Sequence, residues 1–448
     1  MAKGTETTGK LEAEPSKITK PRTGTSNHSA PVQLNIIYGS YEHVLHGLTV
    51  TVALNEDGIR QLESEDKFLF TPHASIIKCL AISPPDGNLN RRILATGGAD
   101  DKINLYSIGG GSNKTLGSLL HHDRAITCLA FSANKKLFSA AEDNTIAISR
   151  PKDWTVLSTL KAPLPKAQGR PSGDTARIDD LPAGINSFAI HPDQKLMLSV
   201  GRGEKCIRTW DLTTGEKAGV LNFSKKILES VGLGKFDRKE GIAVAWSEKG
   251  STFCIAFETG IAVMGLDAKL KAVALPEPRT KLHSMTVLRK TTLVVSTEDG
   301  RVLFFRISDL PAEEKAELVR LPRVGYMGGR ENGVKSRIKC VEIVDVDSSS
   351  FLVVAAGSDG TIRIWHITYE ELKDGKGLIG RGLGSIETGN RITCLGAYRD
   401  YSEENEDDDG DSKSQDEWES DLGPPSDASE VLDDYTFVRR RKKRFWTP

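Results

Sequence analysis

No stretch of this 448-residue chain carries about 18 consecutive apolar residues, the length a membrane-spanning helix requires. The first 33 residues are polar and contain no apolar signal core. Together these absences predict a soluble, intracellular protein. Cysteine is scarce: there are six, with no Cys-x-x-Cys pair and no cluster with histidine, which argues against a disulfide framework and a zinc site. Signatures of catalysis are missing as well. Gly232-Leu233-Gly234-Lys235 lacks the earlier glycine of a phosphate loop, and Phe236 stands where Ser or Thr would follow the lysine. The run Gly109-Gly110-Gly111-Ser112 falls between strand-like segments rather than between a strand and a helix. No catalytic residue, metal, cofactor, small-molecule substrate or membrane contact is therefore expected.

What the chain does contain is a repeat. Seven hairpin-like segments carry an acid in the turn, at Glu42, Asp100, Asp143, Glu204, Glu258, Asp299 and Asp359. Six positions beyond each stand Leu48, Tyr106, Ser149, Trp210, Met264, Phe305 and Trp365. In Thr361-Ile362-Arg363-Ile364-Trp365, apolar residues alternate as a half-buried strand requires. Asp299-Gly300, Asp359-Gly360 and Asp143-Asn144 supply the positive backbone angle of two-residue turns. A unit of four strands repeating at about 40 residues predicts an all-β, seven-bladed β-propeller over residues 34–399.

A first strand precedes several hairpins, beginning at Ile77, Ile126, Ile185 and Ile338. Cys79, Cys128 and Cys340 share one position in it, where a small, buried, reduced thiol fits. The same pattern recurs at Ile392-Thr393-Cys394-Leu395 with no hairpin after it, whereas the opening hairpin at 34–50 has no such strand before it. The two leftovers fit each other, so the strand near 391–398 is expected to complete the first blade and close the ring. His73, His121 and His122 precede first strands, where a histidine bonded to a hydroxyl and the turn acid would fix the blade. His73, His121, Asp100, Asp143, Trp210, Asp211, Asp299, Asp359 and Trp365 are read as structural positions of the repeat.

Charge is unevenly spread. Residues 400–434 hold sixteen acids against the single base Lys413, and the run Arg439, Arg440, Arg441, Lys442, Lys443, Arg444 follows. The remainder of the chain is then about +8, although the net charge is −1. Residues 1–33 and 400–448 read as disordered segments, the second acidic with a basic end. The basic run matches a nuclear import signal, with RNA contact or pairing to the acidic tail as other uses. Ser414, followed by Gln415-Asp416-Glu417, is a candidate phosphorylation site. Segments 162–182, 224–241 and 309–337 read as insertions. The third carries Arg323, Tyr326, Arg330, Lys335 and Arg337, a candidate rim for RNA phosphates or an acidic protein surface, or a plain solvated loop.

The segments Leu119-Leu120-His121-His122-Asp123-Arg124-Ala125-Ile126-Thr127-Cys128-Leu129, Lys152-Asp153-Trp154-Thr155-Val156-Leu157, and Ile190-His191-Pro192-Asp193-Gln194-Lys195, with Arg208-Thr209-Trp210-Asp211-Leu212, resemble one family of WD-repeat proteins. It is the p21-activated-kinase-interacting protein family, whose fungal member is the maintenance-of-killer factor of large-subunit ribosome assembly. The resemblance spans roughly residues 34–400 and implies a non-catalytic, nucleolar propeller that joins pre-60S particles, binding their proteins or rRNA. It also implies, as the alternative, an adaptor that inhibits a p21-activated kinase. Ser149-Arg150 and Met264-Gly265 depart from the aromatic ends of the regular repeat.

Overall fold

The computed structural model describes residues 32–54, 60–86, 90–109, 113–164, 184–289, 291–307, 318–374 and 377–400. Ser414, the basic run 439–444, and most of the segment 162–182 lie outside the described residues.

Alternating apolar positions give seven sheets, antiparallel except for one added strand, each a blade. The innermost strands, from blade one to blade seven, are Ile392–Tyr398, Ile77–Ile82, Ile126–Phe131, Ile185–Ile190, Ala243–Trp246, Leu282–Leu288 and Ile338–Asp345. Each packs on the innermost strand of the next blade, and that of blade seven packs on blade one, so the ring closes. Seven apolar clusters fill the seven junctions. Between blades two and three, for example, Ala95, Ile103 and Leu105 meet Ile126, Leu129 and Leu137. A single sheet could not cover both of its faces; the ring does.

The closure joins the two ends of the propeller. Val32–Ser40 pairs on one side with Leu45–Leu54 and on the other with Ile392–Tyr398, aligning Asn35 with Tyr398 and Gly39 with Cys394. Thr393 Oγ1 donates to the Gly39 carbonyl at 3.0 Å, and the Arg391 amide donates to the Glu42 carboxylate at 3.0 Å. Asn35 Nδ2 donates to Asp400 at 2.8 Å. Gly39 is needed for this approach: a Cβ there would lie 2.7 Å from Ile77 of blade two and 2.7 Å from the Cys394 sulfur.

Turn geometry follows the sequence. Asn144, Gly300 and Gly360 have φ of 62°, 82° and 80°, as two-residue hairpins demand. The segment 224–241 holds a short helix, Lys225–Ser230, capped by the Ser224 hydroxyl, and its Ile227 and Leu228 enter the junction of blades four and five.

One expectation is corrected. The segment 309–337 is not an insertion for its whole length: Arg323–Gly328 is the outermost strand of blade six, and Val319–Arg320 adds a parallel fifth strand to blade five. Val324 and Met327 bury themselves, while two glycines break the alternation that would have marked the strand.

Candidate interaction face at the channel mouth

The hairpin turns and the connections between blades share one face of the ring. Acids in the turns hold this face together by latches to histidine, arginine or lysine. In blade two the Asp100 carboxylate accepts from His73 Nδ1 at 2.9 Å and from the Ala74 amide at 3.0 Å, while His73 Nε2 bonds Thr96 Oγ1 at 2.9 Å. In blade three Asp143 accepts from His122 Nδ1 at 3.0 Å, from the Asp123 amide at 3.1 Å and from the Thr145 amide at 2.8 Å, and His122 Nε2 reaches Ser139 Oγ at 2.8 Å. Burial opposes ionisation of Asp143, but these bonds, His122 foremost, outweigh it and hold the carboxyl well below its usual range. Blades four, six and seven use arginine instead. Arg208 grips Glu204, Arg301 Nε donates to Asp299 at 2.8 Å, and Arg363 Nη2 donates to Asp359 at 2.9 Å. In blade five Lys281 stands 2.6 Å from Glu258.

The histidine at the repeat position of blade three is therefore His122, not His121. His73 and His122 each precede the first strand's isoleucine by four residues, and His121 by five. His121 lies beside His122, shares Ser139 at 3.0 Å, and is pushed down to about 4 by burial and by the neighbouring ring. The bonded chain also stops short in blade three, since the buried Ser149 hydroxyl has no partner among the described residues. Trp210 is buried and donates from Nε1 to Ser199 at 2.8 Å. Asp211 is solvent-facing and caps its turn, accepting from the Thr213 amide at 2.8 Å. Trp365 packs at the junction of blades six and seven. Replacing Trp210 by Phe removes one neutral hydrogen bond and strands Ser199, so a loss of about 1–2 kcal/mol is expected in urea unfolding.

Inside the ring the innermost strands stack their side chains in rows around the axis. A register shift after the first residue recurs in six blades, and such a bulge re-aims the residue it carries. Lys78, Thr127, Asn186, Lys339 and Thr393 occupy this position and line one cavity of about 340 Å³ with Ile76 and Arg202. His283 is the corresponding residue of blade six. Below it run Cys79, Cys128, Ser187, Ala243, Ser284, Cys340 and Cys394, small residues throughout. Their neighbours in the next row are Ala81, Ala130, Ala189, Ala245, Thr286 and Gly396, and in blade seven alone an acid, Glu342. Burial lifts Glu342 to about 7 and pushes the Cys79 and Cys394 thiols up.

Cations crowd the mouth. Lys78 Nζ lies 2.7 Å and Arg202 Nη1 3.4 Å from Glu142, and Arg337 lies 3.6 Å from Glu298, which also holds His283. Lys339 has no hydrogen bond or ion pair among the described residues. Burial, then Arg337 and Arg391, lower its affinity for a proton.

The five rim residues expected from sequence do not form one patch. The Arg323 guanidinium sits 5.3 Å from the Tyr326 ring centre on the outer strand, and Nη1 donates to the Glu277 carbonyl at 3.0 Å. Arg330 and Lys335 are exposed in the connection to blade seven, and Arg337 faces the mouth charges. Lys339, Glu342 and the arginine latches went unrecognised in the sequence. The latches had a signal there, an arginine four residues after the acid in Glu204–Arg208 and Asp359–Arg363.

Comparison with known proteins agrees with this architecture. The family model described as WD domain, G-beta repeat, matches residues 65–107, 113–148 and 332–366. The human p21-activated protein kinase-interacting protein 1 is 30% identical over 375 residues, which span 82% of this chain and 78% of that protein. The chain belongs to this WD-repeat family. Similar family members include the Xenopus laevis p21-activated protein kinase-interacting protein 1-like, 28% identical over 365 residues and covering 82% of each chain. Protein MAK11 of Saccharomyces cerevisiae is 28% identical over 403 residues, spanning 81% of this chain and 82% of its own. The family fold, a propeller with its core between blades, is typical of scaffolds that bind proteins rather than of enzymes. Among the described residues no group of three or more His, Cys, Asp or Glu could hold a metal ion.

Proposed function

We propose that this chain is a non-catalytic assembly scaffold of the large ribosomal subunit, acting in the nucleus and nucleolus and holding pre-60S proteins, with rRNA as a further contact. The observation that carries the reading is the cationic, aromatic-bearing mouth face. Besides Lys78, Arg202, Arg337 and Lys339, this face presents Phe236, which is 93% exposed between Lys235 and Arg238. Its loop is pinned: Val231 and Leu233 are buried, and Asp237 accepts from the Gly234 amide and from Arg279, each at 2.8 Å. A fixed loop that displays an aromatic among cations suits a polyanionic assembly. The basic run 439–444 is read as its import signal.

Gradient sedimentation of the tagged full chain tests the proposal. Co-migration with pre-60S material is expected. Phe236→Ala should shift the protein towards light fractions by several-fold while its melting temperature stays unchanged, because the ring side of Phe236 buries almost nothing. The second reading, an adaptor that binds and inhibits a p21-activated kinase, is favoured by the names of the vertebrate relatives, p21-activated protein kinase-interacting proteins. Exclusive co-purification with a kinase, and none with pre-60S material, would decide for it.

A further inference from the structure

The channel mouth holds more positive charge than its own acids neutralise. Five cations surround it: Lys78, Arg202, Arg337, Lys339 and Arg391. Three carboxylates answer them. Glu142 is shared by Lys78 and Arg202, Glu298 by His283 and Arg337, and Glu42 accepts the Arg391 amide. Two positive charges are left over, one shared by Lys78 and Arg202 around the single Glu142 and one on Lys339, which projects from blade seven. Arg391 places its guanidinium 5.4 Å from the Tyr41 ring centre.

The hydroxyl groups between the cations have already spent their donors. Thr127 Oγ1 donates to the Ala140 carbonyl at 3.1 Å and Thr393 Oγ1 to the Gly39 carbonyl at 3.0 Å, while Asn186 Nδ2 spends one of its two N–H groups on the Gly241 carbonyl at 2.9 Å. The free donors of the cavity are thus the charged N–H groups of lysine and arginine, with one amide N–H of Asn186. Leaving like charges close together in a half-enclosed site costs stability, and a bound anion would recover it.

We propose that the channel mouth is a binding site for a compact phosphate group, gripped by Lys339 with Arg391, Arg202 and Lys78 around it. The excess of two charges matches a phosphate monoester, which carries −1.5 to −2 near neutral pH, and exceeds the single charge of a carboxylate. A cavity of about 340 Å³ admits such a group and excludes a helix or a duplex. The site lies within the ring and is independent of whether the partner proves to be a pre-ribosome or a kinase.

The purified full chain is titrated calorimetrically with inorganic pyrophosphate and, separately, with a phosphoserine peptide, citrate serving as the carboxylate control. Both phosphate probes are expected to bind at low salt and to weaken steeply as salt is raised. Lys339→Gln should lose about tenfold or more in affinity, whereas Lys339→Arg keeps most of it. Lys339→Gln also removes like-charge crowding, so its melting temperature should hold or rise, which separates lost binding from lost folding. Binding of pyrophosphate alone would assign the site to a free phosphate ligand, and tighter binding of the peptide to a phosphorylated chain. Absence of binding by both probes, equal affinity for citrate, or unaltered affinity in Lys339→Gln would overturn the proposal.

Discussion

A chain ending at residue 389 is expected to lose cooperative folding of the whole propeller, while one ending at residue 400 melts like the full-length protein. The first truncation removes Ile392–Tyr398, the innermost strand of blade one. Ile392 and Leu395 are buried in the junction with blade seven, and Cys394 in the junction with blade two. Each large apolar side chain withdrawn from water contributes about 1.5–3 kcal/mol. The loss does not stop there, because Ile36, Ile37 and Tyr38, all buried, would face the gap, and the Val32–Ser40 strand would present an unpaired edge. A domain of this kind has net stability of about 5–15 kcal/mol, so these losses consume a large share of it. The second truncation keeps Asp400 and its bond from Asn35, and with it every contact described for the ring. Thermal melts of the two proteins decide the matter: similar melting temperatures would show that the ring does not depend on its closing strand.

The second large effect is expected at Glu342. Replacing it by Gln should stabilise the protein above neutral pH and leave it unchanged in acid. In the folded ring the carboxyl is raised by burial from 4.5 to about 7, and it has no hydrogen-bond partner among the described residues. Below pH 4.5 the group is neutral folded and unfolded, so it costs nothing. Between 4.5 and 7 the folded state binds the extra proton, and stability falls as pH rises. Above 7 the charge is forced on the folded state and the cost is complete, about 1–3 kcal/mol once water in the channel is allowed for. Gln keeps the shape and never ionises. Urea unfolding of wild type and Glu342→Gln at pH 4, 6 and 8 should show curves that coincide at the first value and separate by the third. A constant difference across the three would mean that packing, not ionisation, is at work.

Much of the ring was legible because its period is coarse and its turns are chemically marked. Seven turn acids, with Gly or Asn beside several of them, placed seven hairpins, and the mismatched ends revealed the closure. Blades five and six were harder. Their innermost strands read Ile242-Ala243-Val244-Ala245-Trp246 and Leu282-His283-Ser284-Met285-Thr286, without the pattern of Ile, a polar residue and Cys or Ser that opens the others. The outer strand of blade six hid among arginines and glycines, since an outer strand faces water and has little apolar alternation to show. His121 and His122 were indistinguishable by type; only the four-residue spacing to Ile126 separates them. The channel chemistry was least legible. In Ile338-Lys339-Cys340-Val341-Glu342-Ile343 the charged residues stand three apart, so a regular strand would put them on opposite faces and neither marks an inward side. The bulge after Ile338 and the closure of the ring bring them to the channel, so the crowding of Lys339 and the isolation of Glu342 belong to seven strands rather than to one.

Pairing the first described strand of a ring with its last also sets a timetable. Val32–Ser40 leaves the ribosome early, but its inner neighbour is made some 350 residues later. At about 5–20 residues per second, that strand waits roughly 20–70 s with one edge open. Six blades can form in that interval; the two junctions of blade one cannot be completed. The protein is thus born as an open arc, and it becomes a ring only when its last described strand arrives.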